Sequence, residues 1–267
     1  KANSLIKVAG LCGSQEQALE EADIARSLRY DLGLLSMGGL NHLSECELLE
    51  RTRRVAEIIP VFGFYLQPLV GGRILSYDFW KEFCNIPGVH AIKTAPFNRY
   101  HTLDVVRAIA HSHRGPEIAL YTGNDDNIIH DLITPYRFNV DRKVIEKRFV
   151  GGLLGHYAVW TSRSVELFHQ VKEGISRGDL DYPALLQTAM EVTDMNTALF
   201  DVAHSFKGSI AGIHEVLRRQ GLLKGIWCLS PEEKLSKGQS TEIDRVMQAY
   251  PHLTDDDFVR AFLVCDI

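Results

Sequence analysis

The chain has 267 residues, 45% of them hydrophobic and 24% charged, with a formal net charge of −5 at pH 7. That length and apolar share suit one large domain, or a barrel with a smaller appended domain, and supply enough side chains for a sizeable core. The mildly negative balance, with no dense Lys/Arg stripe, argues against nucleic acid as a partner. No apolar run reaches about 18 residues and no signal-peptide pattern opens the chain, so neither a membrane partner nor secretion is expected. The five cysteines (Cys12, Cys46, Cys84, Cys228 and Cys265) are scattered, with no Cys-x-x-Cys pair. They read as free thiols in a reducing, cytoplasmic setting.

Taken in chain order, the first two-thirds alternates short apolar runs with amphipathic stretches, the βαβα rhythm of a parallel sheet. Strands are predicted at Leu5–Gly10, Leu32–Ser36, Pro60–Tyr65, Val89–Lys93, Glu117–Thr122 and Arg148–Leu153, with helices between them. Ser14 with Gln17, and Ser44 with Glu47, have capping-box spacing. Ala18, Ala22, Ala25 and Leu28 fall on one face of the first helix. From about Thr161 the pattern is helical to the end, with breaks near Gly174–Gly178, Lys207–Gly208, Gly221–Gly225 and Ser230–Pro231. The expected layout is a βα domain over residues 1–178 and a helical bundle over 179–267. Six strands suit an open sheet, whereas a closed barrel needs eight. The chain begins at a strand and with Lys1 rather than Met, which suggests that two βα units precede it.

Lys93 ends the apolar run Val89–Lys93 and would lie at the C-terminal mouth of a parallel barrel, where such folds place their chemistry. An amine among apolar neighbours can lose its proton and attack a carbonyl carbon to form a Schiff base. The simpler alternative is a strand-end lysine that snorkels to water. Strand parity puts Val89, Ala91 and Lys93 on one face, and divides Val61, Gly63 and Tyr65 from Phe62 and Phe64. If the phenylalanine face packs on the outer helices, Tyr65 points inward with Lys93. A packed aromatic with a satisfied hydroxyl is the alternative for Tyr65.

Four segments carry a resemblance. Tyr65-Leu66-Gln67-Pro68 with Gly71-Gly72, then Ala91-Ile92-Lys93-Thr94, then Thr122-Gly123-Asn124-Asp125-Asp126, then Gly151-Gly152-Leu153-Leu154-Gly155 follow one another in order. Together they resemble the corresponding segments of the dihydrodipicolinate synthase / N-acetylneuraminate lyase family, from its third strand to its C-terminal helices. The resemblance implies an α/β fold: a (β/α)8 TIM barrel whose first two βα units are absent from this chain, followed by a C-terminal helical domain. It also implies that Lys93 forms a Schiff base with pyruvate or a related 2-oxo acid and that Tyr65 relays protons. On this reading the chain is a lyase, aldolase or hydratase-lyase that needs no metal or cofactor, takes an aldehyde as a second small molecule, and forms a homodimer or homotetramer.

The departures point away from true dihydrodipicolinate synthase activity. Val70 stands where the synthases carry an arginine, and Gly38-Gly39-Leu40 where they carry paired tyrosines. The segment expected to hold the pyruvate carboxylate falls outside this chain. Arg99 is a candidate replacement for the lost arginine, since its fork suits a carboxylate or phosphate; it also reads as a surface arginine opening the next helix. Gly123, Asn124, Asp125 and Gly155 are the remaining candidates for substrate contact, with helix capping the alternative for Asn124 and Asp125. A catalytically impaired relative with a binding or regulatory role is the second reading, and a metal-dependent TIM-barrel aldolase the third. No Gly-x-Gly-x-x-Gly, Walker A, His-Glu-x-x-His or Gly-x-Ser-x-Gly motif occurs. His111-Ser112-His113 is better explained as a helix end than as a metal site, and His156 is a minor candidate.

Overall fold

The computed structural model describes residues 5–265. Two compact units emerge, one formed by Lys1–Asn124 with Thr134–Leu153, the other by Asp125–Ile133 with Leu154–Ile267. The sequence boundary at Gly178 thus differs from the structural one at Leu153.

The first unit is built on βα repeats. Strand β1 (Val8–Leu11) leads into helix α1 (Gln15–Ser27), and β2 (Leu32–Ser36) into α2 (Glu45–Ala56). Next come β3 (Val61–Leu66) with α3 (Tyr77–Cys84), β4 (Val89–Ala95) with α4 (Arg99–His111), and β5 (Ala119–Thr122). After a short helix α5 (Ile128–Ile133), the chain forms an antiparallel pair, β6 (Tyr136–Val140) and β7 (Lys143–Lys147), and then β8 (Gly151–Gly152). The main sheet has the order β1-β2-β3-β4-β5-β8, and every pairing in it is parallel. All six expected strands are therefore present, each beside its neighbour in the expected order. The last is cut to two residues at a pair of glycines.

Local chemistry explains the helix starts. Gln17 N donates to Ser14 Oγ, and Ser44 with Glu47 forms a complete capping box. On α1 the buried face is Ala18, Ala22 and Ala25, whereas Leu28 lies beyond the helix and is exposed. The β6–β7 hairpin, absent from the sequence expectation, packs on α4. Phe138 meets the His111 ring edge-on at 6.3 Å, and Lys147 Nζ donates to Gly115 O at 2.6 Å.

One parity assignment is inverted. Helix α3 brings Phe79, Trp80 and Phe83 against the sheet, all at most 1% exposed. A Cβ on Gly63 would stand 2.6 Å from Phe83 Cε1, so glycine there makes room for that ring. The helix-covered face therefore carries Gly63 and Tyr65, and the Phe62–Phe64 pair turns to the inner face. The reason is volume: α3 supplies its own aromatics, leaving no space for two more beneath it.

The second unit adds α6 (Thr161–Arg177), α7 (Tyr182–Leu199), α8 (Ser209–Arg219), α9 (Gln239–Ala249) and α10 (Asp256–Cys265). Asp181 caps α7 by accepting from Ala184 N, and Leu185, Ala189, Val192, Met195 and Leu199 are among its buried residues. Gly178, in the left-handed region at φ 74°, ends α6 where the sequence predicts a break. Cys12, Cys46, Cys84 and Cys228 are unbridged; the side chain of Cys265 lies outside the described residues.

Candidate active site

Lys93 sits near the C-terminal end of β4, a strand paired on both sides. Register places Ser36, Phe64, Lys93, Tyr121 and Gly151 in one row across β2, β3, β4, β5 and β8. Parallel partners in register present their side chains on the same face. Lys93 thus stands on the inner face, flanked by Phe64 and Tyr121. Its Nζ lies 4.3 Å from the centroid of the Phe64 ring, a distance at which the ring face attracts a positive nitrogen.

Gly123 clears the path for the lysine stem. A Cβ at that position would stand 2.7 Å from Lys93 Cε and 2.7 Å from Ala95 Cβ. The glycine expected to touch substrate therefore has a local task of its own, which is to let an aliphatic chain cross it.

Tyr65 is the principal correction. It pairs with Thr94, one residue past Lys93, and so lies on the opposite, helix-covered face. Its ring packs 5.0 Å from Trp80 and 6.1 Å from His101, and its hydroxyl accepts from Leu75 N at 3.3 Å. Burial raises its pKa above the usual phenol value, keeping it protonated. A proton relay from Tyr65 to Lys93 is not compatible with this placement.

Asn124 is also committed elsewhere. At 1% exposure, its Oδ1 accepts from Phe97 N at 3.1 Å and its Nδ2 donates to Thr102 Oγ1 at 3.2 Å. These bonds brace the β4–α4 loop, where Phe97 takes the left-handed conformation at φ 49°. Asn124 therefore serves as an internal brace rather than an orienter of substrate hydroxyls. Arg99 opens α4 after the Asn98 cap, and its Nη2 donates to Tyr136 Oη at 2.9 Å on the hairpin. It is half-buried and tied to a second element, unlike a surface arginine.

The loop after β2 carries no tyrosine, and the arginine in the loop after β3, Arg73, donates to the carbonyls of Leu40 and Leu43 at 3.3 and 2.6 Å. Gly39 N donates to Gly71 O at 3.1 Å, so the glycine loops meet backbone to backbone, and Val70 is exposed. The His111 ring nitrogen Nδ1 lies 2.8 Å from Arg107 O, in keeping with a helix end.

Asp125, Gly155 and His156 belong to the second unit. Asp125 Oδ1 accepts from His156 N at 2.9 Å, and Asn196 Nδ2 donates to Asp125 O at 2.7 Å. With that amide nitrogen engaged, Asn196 Oδ1 faces His156 Nδ1 at 2.6 Å, so Nδ1 carries the proton of the neutral ring. Burial pushes the His156 pKa down to about 4 and the Tyr157 phenol up to about 12, the latter helped by the Asp125 charge. A Cβ on Gly155 would stand 2.9 Å from the Phe200 ring, so this glycine admits an aromatic neighbour.

Of the Lys93 row, Phe64 is expected from sequence on the helix-packed face and stands on the inner one, and Tyr121 is not among the expected site residues. The signal was present in Ala119-Leu120-Tyr121-Thr122, whose alternation puts Ala119 and Tyr121 together; which face they share was not legible.

Sequential parallel strands with helices between them define a βα-barrel scaffold. Solved structures agree. The dihydrodipicolinate synthase from Oceanobacillus iheyensis matches with a TM-score of 0.68 at 18% identity, over 92% of this chain and 73% of that one. The synthase from Bacillus clausii gives 0.69 at 14%, over 91% and 73%. The Sulfolobus 2-keto-3-deoxygluconate aldolase in complex with D-KDPG gives 0.62 at 17%, over 97% and 76%. No protein-family model and no curated protein matches the chain. At these identities the likeness establishes the fold: the α/β TIM-barrel architecture of these proteins with a C-terminal helical part.

Proposed function

We propose that the chain is a class I lyase or aldolase of the dihydrodipicolinate synthase / N-acetylneuraminate lyase family, in which Lys93 forms a Schiff base with pyruvate or a related 2-oxo acid. The observation that carries this reading is the position of Lys93: inner face, C-terminal end of a central strand, stem passing over Gly123, nitrogen over the Phe64 ring. The ring face favours a positive nitrogen, which serves the iminium as well as the ammonium form. The iminium withdraws electrons from the bond beside the former carbonyl, so that a C–C or C–O bond can break or form through an enamine.

Arg99 is the candidate for a second substrate anion, held in place by Tyr136. Gly123 completes the substrate contacts proposed for the first unit. The loop at Gly38–Leu40 without the synthases' tyrosine pair, Val70 in place of their arginine, and Arg73 tied to the carbonyls of Leu40 and Leu43 favour an oxo acid or aldehyde other than the synthase substrate. The same loops support the second reading, a relative that binds an oxo acid without turning it over. A homodimer or homotetramer is part of the proposal, checked by sedimentation.

Borohydride reduction in the presence of pyruvate, 2-oxobutanoate and larger 2-oxo acids separates the readings. The expected result is a gain of one reduced oxo acid per chain, by intact mass, that vanishes in Lys93→Ala. Saturable binding by calorimetry, with no trapped adduct for any of these acids, would favour the non-catalytic relative.

A further inference from the structure

The Lys93 stem leaves its own row. Its Cε and Cγ lie 2.7 and 3.3 Å from the point where a Cβ on Gly123 would stand, and Ala95 Cβ lies 2.7 Å from that same point. The reacting end of Lys93 therefore reaches the next inner-face row, two residues further along each strand. That row holds Leu66 on β3 and its register partner Ala95 on β4, then Gly123 after β5 and Leu153 after β8. The parallel ladder continues through it, since Gly123 N donates to Thr94 O at 2.8 Å and Leu153 N to Thr122 O at 2.9 Å. On the β2 side, Leu66 Cδ2 lies 3.5 Å from where a Cβ on Gly38 would stand. None of these residues carries a polar side chain. Leu153 is 41% exposed and Leu66 half-buried, so apolar surface is left open beside the lysine.

We propose that the 2-oxo acid taken by Lys93 carries an aliphatic, unhydroxylated substituent on C3, and that Leu66, Ala95 and Leu153 select it. The inference rests on the reading of Lys93 as the nucleophile and names the substrate class for that site. Condensation forms the N–C2 bond and breaks the C2–O bond. Counted from the ammonium form, two of the three nitrogen protons leave with the oxygen as water, and the third stays on the iminium. C1 and C3 then branch one bond beyond Nζ, at the level of the apolar row. A carboxylate against that surface would lose its hydration unpaired, so C1 turns away from it and C3 turns towards it. A hydroxyl on the C3 substituent would find no partner among these side chains, whereas a methyl or ethyl group there covers exposed leucine surface.

A packing role alone for the two leucines predicts no such preference, and a matched pair of acids separates the two. In 2-oxobutanoate a methyl stands on C3 where 3-hydroxypyruvate has a hydroxyl. The concentration giving half the plateau of borohydride-trapped adduct is read by intact mass for pyruvate, 2-oxobutanoate, 2-oxopentanoate and 3-hydroxypyruvate. Each value is referred to the free keto form of the acid, measured by NMR. From pyruvate to 2-oxopentanoate the half-plateau concentration should fall about fourfold for each added methylene. That for 2-oxobutanoate should lie about tenfold below that for 3-hydroxypyruvate. Leu66→Thr and Leu153→Thr place a hydroxyl in the row, and each should narrow this ratio by about threefold or more while leaving pyruvate within about threefold of the parent. A parent ratio within about threefold of one, or a ratio unmoved in both variants, would overturn the proposal while the adduct itself still supports Lys93. If one variant traps no pyruvate, the ratio in the other decides. No adduct with any of the four acids removes the Lys93 reading, and this inference with it.

Discussion

At the scale of single residues, the site depends on what is missing as much as on what is present. Gly123 is the clearest case, because Ala95 Cβ cannot retreat without moving its strand. Gly123→Ala should cost about 1–3 kcal/mol of stability through overpacking, and should slow adduct formation at Lys93 by about tenfold as the stem is displaced. Denaturant unfolding paired with timed borohydride quenching reads both; unchanged trapping would mean that the stem does not need that path. His156 makes a separate, pH-dependent prediction. Its pKa falls from 6.5 to about 4 on burial, so between those values the unfolded chain takes up a proton that the native site refuses. Stability from this residue is complete above about pH 6.5 and is lost as pH falls towards 4, on the order of 3 kcal/mol in all. Unfolding free energies measured across that window should show a smaller slope in His156→Gln than in the parent. Equal slopes would contradict the burial argument.

Among the elements, parity decided what was legible. Alternation alone settles that Ala91 and Lys93 share one face of β4. Tyr65 joins them only if Phe62 and Phe64 face outward, and only the aromatic helix α3 reveals that the helix layer is already full. The β6–β7 hairpin was missed for a different reason. Its turn residues Asp141 and Arg142 both have positive φ, 48° and 65°, the geometry that Asn-Gly or Asp-Gly normally announces. Without a glycine the signal is silent, although Tyr136-Arg137-Phe138-Asn139-Val140 alternates as a strand does. Replacing Asp141-Arg142 by Asn-Gly should therefore stabilise the first unit by about 0.5–1 kcal/mol. A denaturation midpoint that stays put or falls would show that the turn is not strained.

For the molecule as a whole, the strand order was readable because each parallel strand of the main sheet pairs with its nearest predecessor in the rhythm, so one-dimensional order becomes sheet order. The division into units was less so. Helix α5 lies between two strands of the first unit in sequence yet belongs to the second, and no composition shift marks the break at Leu153. None of the described helices is long and apolar enough to cross a membrane. The glycines at the site were legible as types but not as tasks, since their use depends on side chains from other strands: Lys93 for Gly123, Tyr121 for Gly151.

The central claim is that the nucleophile is Lys93, and peptide mapping of the borohydride-reduced pyruvate adduct tests it most directly. The account predicts a single modified residue, Lys93, with Lys7 and Lys147 unlabelled, and no adduct in Lys93→Ala. An adduct mapped to another lysine, or retained in Lys93→Ala, would contradict it.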